Sequence, residues 1–395
     1  MCKPKFIVIG ISDSHSQSFT PEVQQVIAQG KTFSGGKRHH EIVRRYLPNN
    51  SCWIDITIPL NEVYAQYSDF QEIIVFASGD PLFYGFATTL MRQFPTSDIK
   101  VYPTFNSLQA LAHKACLPYH DMCAVSLTGR SWKSFDAALI EGKPLIGILT
   151  DKTKTPDAIA RRMLQYGYTG YRMTVGERLG NETDERVSNW NLEEASHTSF
   201  GLPNCLLLER TEARKRLYGI PESEFHHLQG RHNMITKMPI RLLALQMLDI
   251  TNRTSFWDIG FCTGSVSIEA RLLCPTCDIT AFETRQESEQ LIQKNSEKFG
   301  APSINYVIGD FMEADLSCHP APDCVFIGGH GGRLMNMLKR IDSVLLPEGV
   351  IVFNSVSDES CHLFREGIKH IGKNITASHR MVLDEHHPIT VMKAE

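Results

Sequence analysis

The chain has 395 residues, long for one ordinary domain and suited to two of about 200 residues each. Hydrophobic residues make up 42% and charged residues 21%, a globular balance that excludes a low-complexity or disordered chain. The net charge of −4, from 40 Lys and Arg against 44 Asp and Glu, argues against a general nucleic-acid binder, which carries a basic stripe, but leaves room for local cationic clusters that bind a small anion.

The opening Met1-Cys2-Lys3-Pro4-Lys5-Phe6 lacks the apolar core of a signal peptide, and no apolar run reaches bilayer length. A cytoplasmic chain with no membrane partner is expected. The 11 cysteines are scattered and odd in number, which fits reduced thiols. Cys274-Pro275-Thr276-Cys277 is an isolated CxxC without further ligands at zinc spacing, so no metal is expected.

In chain order, Phe6-Ile7-Val8-Ile9-Gly10 reads as a buried strand opening into a loop. Thr20-Pro21 starts a helix, with Thr as cap, Pro in the first turn, and Val23, Val26 and Ile27 on one face; Gly30 ends it. Strands are expected over 73–77, 99–102, 145–150 and 204–208, and a helix over 155–166, an α/β alternation. The basic cluster Lys37-Arg38-His39-His40 with Arg44 and Arg45 reads equally as a solvated helix face or as a grip for carboxylates.

Gly79-Asp80-Pro81, directly after the second of these strands, is on its own a tight turn. Its surroundings extend the reading. Gly10-Ile11, Ser34-Gly35-Gly36-Lys37-Arg38-His39, Ser78 through Gly85, Asn106-Ser107-Leu108-Gln109, Ser126-Leu127-Thr128-Gly129-Arg130, Val175 through Gly180 and Leu202-Pro203-Asn204-Cys205 follow one another in a fixed order. Together they resemble the tetrapyrrole methylase family, in its precorrin-6Y methylase E-type branch, over about residues 5–210. The resemblance implies a class III methylase fold and a site for S-adenosylmethionine built from Gly10, Gly79, Asp80, Pro81 and Ser107, with Arg38 and Arg130 near the substrate. Two positions depart from the pattern: Ser12 stands where the first loop has a second Gly, and Thr128 where His precedes Gly-Arg.

Residues 211–229 are charged and broken by Gly219 and Pro221, a linker dividing the chain into domains 1–212 and 213–395. Pro239 begins a helix with Ile240, Leu243, Ala244 and Met247 on one face. Strands are expected over 255–259, 278–283, 304–308, 324–327 and 350–354, with helices between them. That alternation is a doubly wound, mostly parallel Rossmann-like sheet.

Asp258-Ile259-Gly260-Phe261-Cys262-Thr263-Gly264 falls at the first strand-to-helix turn, where glycines admit a nucleotide-like ligand to the helix amino end. Glu283 ends the next strand 25 residues after Asp258, placed to hold ribose hydroxyls, and Gly309-Asp310 ends the third, near an adenine. Three consecutive strand ends of this chemistry favour a class I methyltransferase over a dehydrogenase. Cys262 stands where such loops usually carry Gly.

Gln229-Gly230-Arg231-His232-Asn233-Met234-Ile235-Thr236-Lys237, the Asp258 loop, Gly328-Gly329-His330-Gly331-Gly332-Arg333 and Asn354-Ser355-Val356 resemble the decarboxylating precorrin methyltransferases of the T-type family, over about 225–395. Ser357-Asp358-Glu359 departs from the Leu-Glu usual after the last motif. The resemblance implies a second S-adenosylmethionine site including Thr236, Asp258, Gly260, Gly264, Glu283, Gly309 and Asp310. Arg231, His232, Lys237, His330 and Arg333 are the candidates for substrate carboxylates.

E-type followed by T-type implies methylation of a corrin precursor at C5 and C15, with loss of the ring C acetate carboxyl, on the way to cobalamin. Two cofactor sites, a small-molecule substrate and a homo-oligomer are expected, without nucleic acid. The residues leave open methylation of another tetrapyrrole or an RNA, and a scaffold in which one half is degenerate.

Overall fold

The computed structural model describes residues 4–383 and 388–395; the opening Met1-Cys2-Lys3 lies outside them. The chain divides into two compact units, the first made of Met1–Arg130, Lys143–Arg161 and Tyr171–Thr211, the second of Ser131–Gly142, Arg162–Gly170 and Glu212–Glu395.

In the first unit, β1 (Lys5–Ile11), β2 (Thr32–Gly35), β3 (Cys52–Asp55), β4 (Glu72–Ser78) and β5 (Ile99–Tyr102) form a parallel sheet in the order β3-β2-β4-β1-β5. Successive side chains of β1 enter opposite cores. Phe6 and Val8 pack with Val75 and Ala77 of β4, whereas Ile7 and Ile9 pack with Ile74 and Phe76. A strand covered on both faces reads as a continuous apolar run, which is why β1 and β4 are visible in the sequence. The helix Pro21–Gln29 starts as expected, with Thr20 accepting from the Val23 amide.

The same unit holds a mixed sheet of β6 (Cys123–Ser126), β7 (Leu145–Leu149), β8 (Tyr171–Glu177), β9 (Arg186–Trp190) and β10 (Asn204–Arg210). Its order is β6-β7-β10-β8-β9, parallel between β6 and β7 and antiparallel elsewhere.

The second unit carries β11 (Ser255–Ile259), β12 (Asp278–Glu283), β13 (Ile304–Ile308), β14 (Cys324–Ile327), β15 (Val350–Ser355), β16 (Ile375–Met381) and β17 (Ile389–Ala394) in the order β13-β12-β11-β14-β15-β17-β16. The first five strands in that order are parallel, and β17 and β16 add an antiparallel edge. The five parallel strands match the sequence reading. β16 and β17 escaped it because β16, with Ser378, His379 and Arg380 at its centre, has no apolar run. The strand order reverses between β11 and β14, which opens a crevice at the carboxyl ends of the strands. Among the described residues no helix is long and apolar enough to cross a membrane.

Candidate functional site

In the second unit the loops at this crevice enclose a cavity of about 740 Å³. The loop after β11 runs through Gly260 and Cys262 into the helix Ser265–Leu273. Gly260 has φ +83°, and a Cβ there would stand 2.8 Å from the amide nitrogen of Gly329 after β14, so only glycine lets the two loops close on each other.

Glu283 lines the cavity and is only 4% exposed. Its Oε2 accepts from the Cys262 amide at 2.9 Å, and Oε1 accepts from the amides of Thr284 at 2.8 Å and Arg285 at 3.1 Å. Arg285 Nη1 reaches both oxygens, at 3.0 and 3.1 Å. The carboxylate thus braces the glycine loop, with both oxygens already occupied by donors of the chain itself.

Asp258 does not reach that space. It is fully buried, and its Oδ2 accepts from the Ser267 amide at 3.1 Å and Ser267 Oγ at 2.6 Å. Burial pushes its carboxyl up to about 7, against the lowering by Ser267. It anchors the helix behind the loop rather than facing a ligand. Gly264 also lies behind the loop, where a Cβ would meet Ile292 Cγ1 at 2.7 Å, so its role is close helix packing.

Gly309, Asp310, Thr236, Lys237, His330 and Arg333 all line the cavity. Two of the supposed carboxylate grips are not free cations. Arg333 forks onto Asp310, Nη1 to Oδ2 at 2.6 Å and Nη2 to Oδ1 at 2.8 Å, and this pairing holds the Asp310 carboxyl below its usual range. His330 is half-buried, which lowers its pKa and leaves the ring neutral, and its Nδ1 accepts from the Gly332 amide at 3.2 Å. Lys237 has no ion-pair partner among the described residues. Arg231 and His232 do not line the cavity; His232 packs against the ring of His227.

Four contributors were not singled out in the sequence reading. Arg285 is two residues from Glu283, near enough to have been suspected. Met234 and Ile235 lie inside a quoted motif but were not singled out. Asn354, the next-to-last residue of β15 and part of a quoted motif, lines the cavity, and its buried Oδ1 has no hydrogen-bond partner. Cys262, at φ +51°, keeps its thiol because the Sγ donates to the Met234 carbonyl at 3.0 Å. Burial pushes that thiol up to about 11, so it stays protonated.

In the first unit the expected residues gather at the carboxyl ends of β1 and β4, which run side by side with Gly10 opposite Ala77. A Cβ on Gly10 would lie 2.1 Å from the Gly79 carbonyl oxygen, so the two loops meet only through glycine. Asp80 Oδ1 accepts from the Leu82 amide at 2.9 Å and closes the turn on itself. Ser107 is the first residue of the helix Ser107–Lys114, which Asn106 caps. Arg130 stacks over the Tyr84 ring at 4.9 Å.

Arg38 is committed: Nη1 pairs with Asp13 at 2.9 Å, and Nη2 donates to Ser78 Oγ at 2.8 Å. Asp13 also receives Arg178, which the sequence did not single out as a side chain. His39 beside them is largely buried, with its pKa down at about 4 from burial and the Arg38 charge, so it is neutral. At the two departures, Ser12 Oγ accepts from the Ser14 amide, and Thr128 Oγ1 donates to the Thr150 carbonyl. Both are local structural bonds.

The chain matches two families, one after the other. The tetrapyrrole (corrin/porphyrin) methylases match residues 5–196, and the precorrin methyltransferase domain matches residues 227–394. The chain is 28% identical over 362 residues to a precorrin-6Y C(5,15)-methyltransferase (decarboxylating) of Sinorhizobium sp., covering 90% of this chain and 86% of that protein. It is 33% identical over 145 residues to a cobalt-precorrin-6B C(15)-methyltransferase (decarboxylating) of Salmonella typhimurium, covering 37% of this chain and 74% of that protein. A cobalt-precorrin-7 C(5)-methyltransferase of the same organism is 28% identical over 203 residues, 51% of this chain and 98% of that protein.

Proposed function

The chain belongs to the precorrin methyltransferase family, and on that footing we propose that it methylates a precorrin-6B-type corrin precursor at C5 and at C15, and removes the ring C acetate carboxyl, in cobalamin biosynthesis. The second unit carries C15 methylation and decarboxylation, and the first carries C5 methylation. The two activities bear separate names in the shorter relatives, and the two family matches divide this chain in the same way.

The observation that carries the reading is Glu283 at the end of β12, a nearly buried carboxylate beside the glycine loop of a 740 Å³ cavity. These residues fit S-adenosylmethionine: Glu283 would accept from ribose hydroxyls by giving up its contact with the mobile end of Arg285, and the Gly260 loop lets the backbone come close. S-adenosylmethionine, when bound, supplies a methyl group on a sulfonium. Each transfer forms a carbon–carbon bond, breaks a carbon–sulfur bond and releases a proton from the substrate. Decarboxylation breaks the bond to the acetate carboxyl, its electron pair passing into the conjugated ring system before a proton replaces carbon dioxide.

A carbon conjugated like an enamine is already nucleophilic, so alignment rather than a strong base dominates the methyl transfers. Lys237 offers its charge to a substrate carboxylate, and neutral His330 leaves Nε2 for a hydrogen bond. The Arg333–Asp310 pair keeps this rim fixed.

Incubating the full chain with the precorrin and S-adenosylmethionine labelled in its methyl group tests the proposal by mass spectrometry. It predicts two labelled methyl groups gained and one carbon dioxide lost. Methyl gain without loss of carbon dioxide would reject the assignment of the second unit.

A further inference from the structure

The stretch that reads as a linker before the helix Met238–Met247 is held from beneath, within the second unit, by an ion pair with no solvent exposure. Arg241 on that helix gives its Nε to Glu269 on the helix Ser265–Leu273. Its Nη1 donates to the Thr236 carbonyl at 2.7 Å, and its Nη2 donates to the Ile220 carbonyl. The other Glu269 oxygen accepts from the Gly219 amide. The pair therefore grasps the segment 219–237 at both ends.

Two more contacts fix the middle. Asn295, fully buried, accepts from the His226 amide at 2.8 Å and donates to the His226 carbonyl at 3.2 Å and the Thr263 carbonyl at 2.9 Å. The Cys262 thiol holds the Met234 carbonyl. Residues Asn233 through Lys237, at the end of this segment, form a wall of the cavity.

A buried ion pair is a poor device for stability alone, since apolar residues of the same volume do as well. What apolar residues cannot do is satisfy the Gly219 amide and the Ile220 and Thr236 carbonyls at once, which the planar guanidinium fork and the second carboxylate oxygen do here. Neither Arg241 nor Glu269 lines the cavity. We infer that they are positioning residues: they set the place of the 219–237 wall and, through Thr236 and its neighbours, the affinity of the second unit for S-adenosylmethionine. This rests on the reading of that cavity as a cofactor site.

The test uses the full chain, wild type and Arg241→Lys, with S-adenosylhomocysteine as the probe. Lys keeps a positive charge beside Glu269, so the buried carboxylate remains paired, but a single ammonium cannot serve Glu269 and both carbonyls in the fork geometry. In the wild type, hydrogen exchange should show the 219–237 amides protected along with the helices beneath them, and protected further by the probe. Arg241→Lys should melt cooperatively, exchange faster across 219–237, and show a KM for S-adenosylmethionine raised about tenfold with kcat changed less than about threefold.

Wild-type values of KM and exchange in Arg241→Lys would overturn the inference. If that variant fails to fold, the wild type decides: 219–237 exchanging like an open loop overturns the inference, and slow exchange in step with the unit supports it. If the probe protects nothing around residues 258–264 in the wild type, the cofactor reading itself fails and the inference falls with it. Protection there with an unaltered variant defeats the inference alone.

Discussion

Asp258 and Glu283 end neighbouring strands, and as letters in the sequence they look alike. Their surroundings separate them. Glu283 faces the cavity with backbone donors on both oxygens, whereas Asp258 is sealed behind the loop with Ser267 on one oxygen and no partner on the other. Replacing Glu283 by Ala should cost about 1.5–3 kcal/mol of cofactor affinity in the second unit, because a charged acceptor is lost and donors are left unmet. Calorimetric titration with S-adenosylhomocysteine measures it, and an unchanged affinity would contradict the role.

Asp258 predicts a different readout. Its folded pKa is raised to about 7, so between the ordinary carboxylate range near 4 and that value the folded state holds a proton which the unfolded state has released. Stability from this group is therefore present at low pH and lost as pH rises from about 4 to about 7. Asp258→Asn, which cannot ionise, should show a smaller fall in denaturant midpoint between pH 5 and pH 8 than the wild type. An equal fall in both would show that Asp258 does not titrate there.

Among structural elements, the turns at the ends of β1 and β4 are the clearest case of local sequence serving a site. Gly10 is demanded by the Gly79 carbonyl against it, and Asp80 holds the turn through the Leu82 amide. Gly10→Ala should force the two loops apart and cost about 1–3 kcal/mol of stability, read as a lower unfolding midpoint of the first unit. Asp80→Ala should impair C5 methylation and leave carbon dioxide release intact; equal loss of both would point to a shared folding defect.

These turns were legible because glycine, aspartate and proline after an apolar run have few other uses. The parallel strands were legible for a related reason, since burial on both faces leaves an unbroken apolar run. The pairs that decide charge were not. Arg333 and Asp310 meet across two strand ends, and Arg241 and Glu269 join two helices, so nothing in either local pattern marks them. Hence His330 and Arg333 looked like free cations when one is neutral and the other is taken.

At the scale of the whole molecule, two unrelated sheets each present glycine turns at the carboxyl ends of parallel strands, and the chain matches one methyltransferase family along each half. The helix Lys133–Glu141 groups with the second unit although it lies far upstream of the 211–229 stretch, a placement that composition does not announce. We propose that one chain carries two working cofactor sites. The binding stoichiometry of S-adenosylhomocysteine on the full chain tests it most directly. Two per chain are expected in the wild type, with the second-unit site weakened in Glu283→Ala and the other left unchanged; one per chain in the wild type would overturn the proposal of two sites.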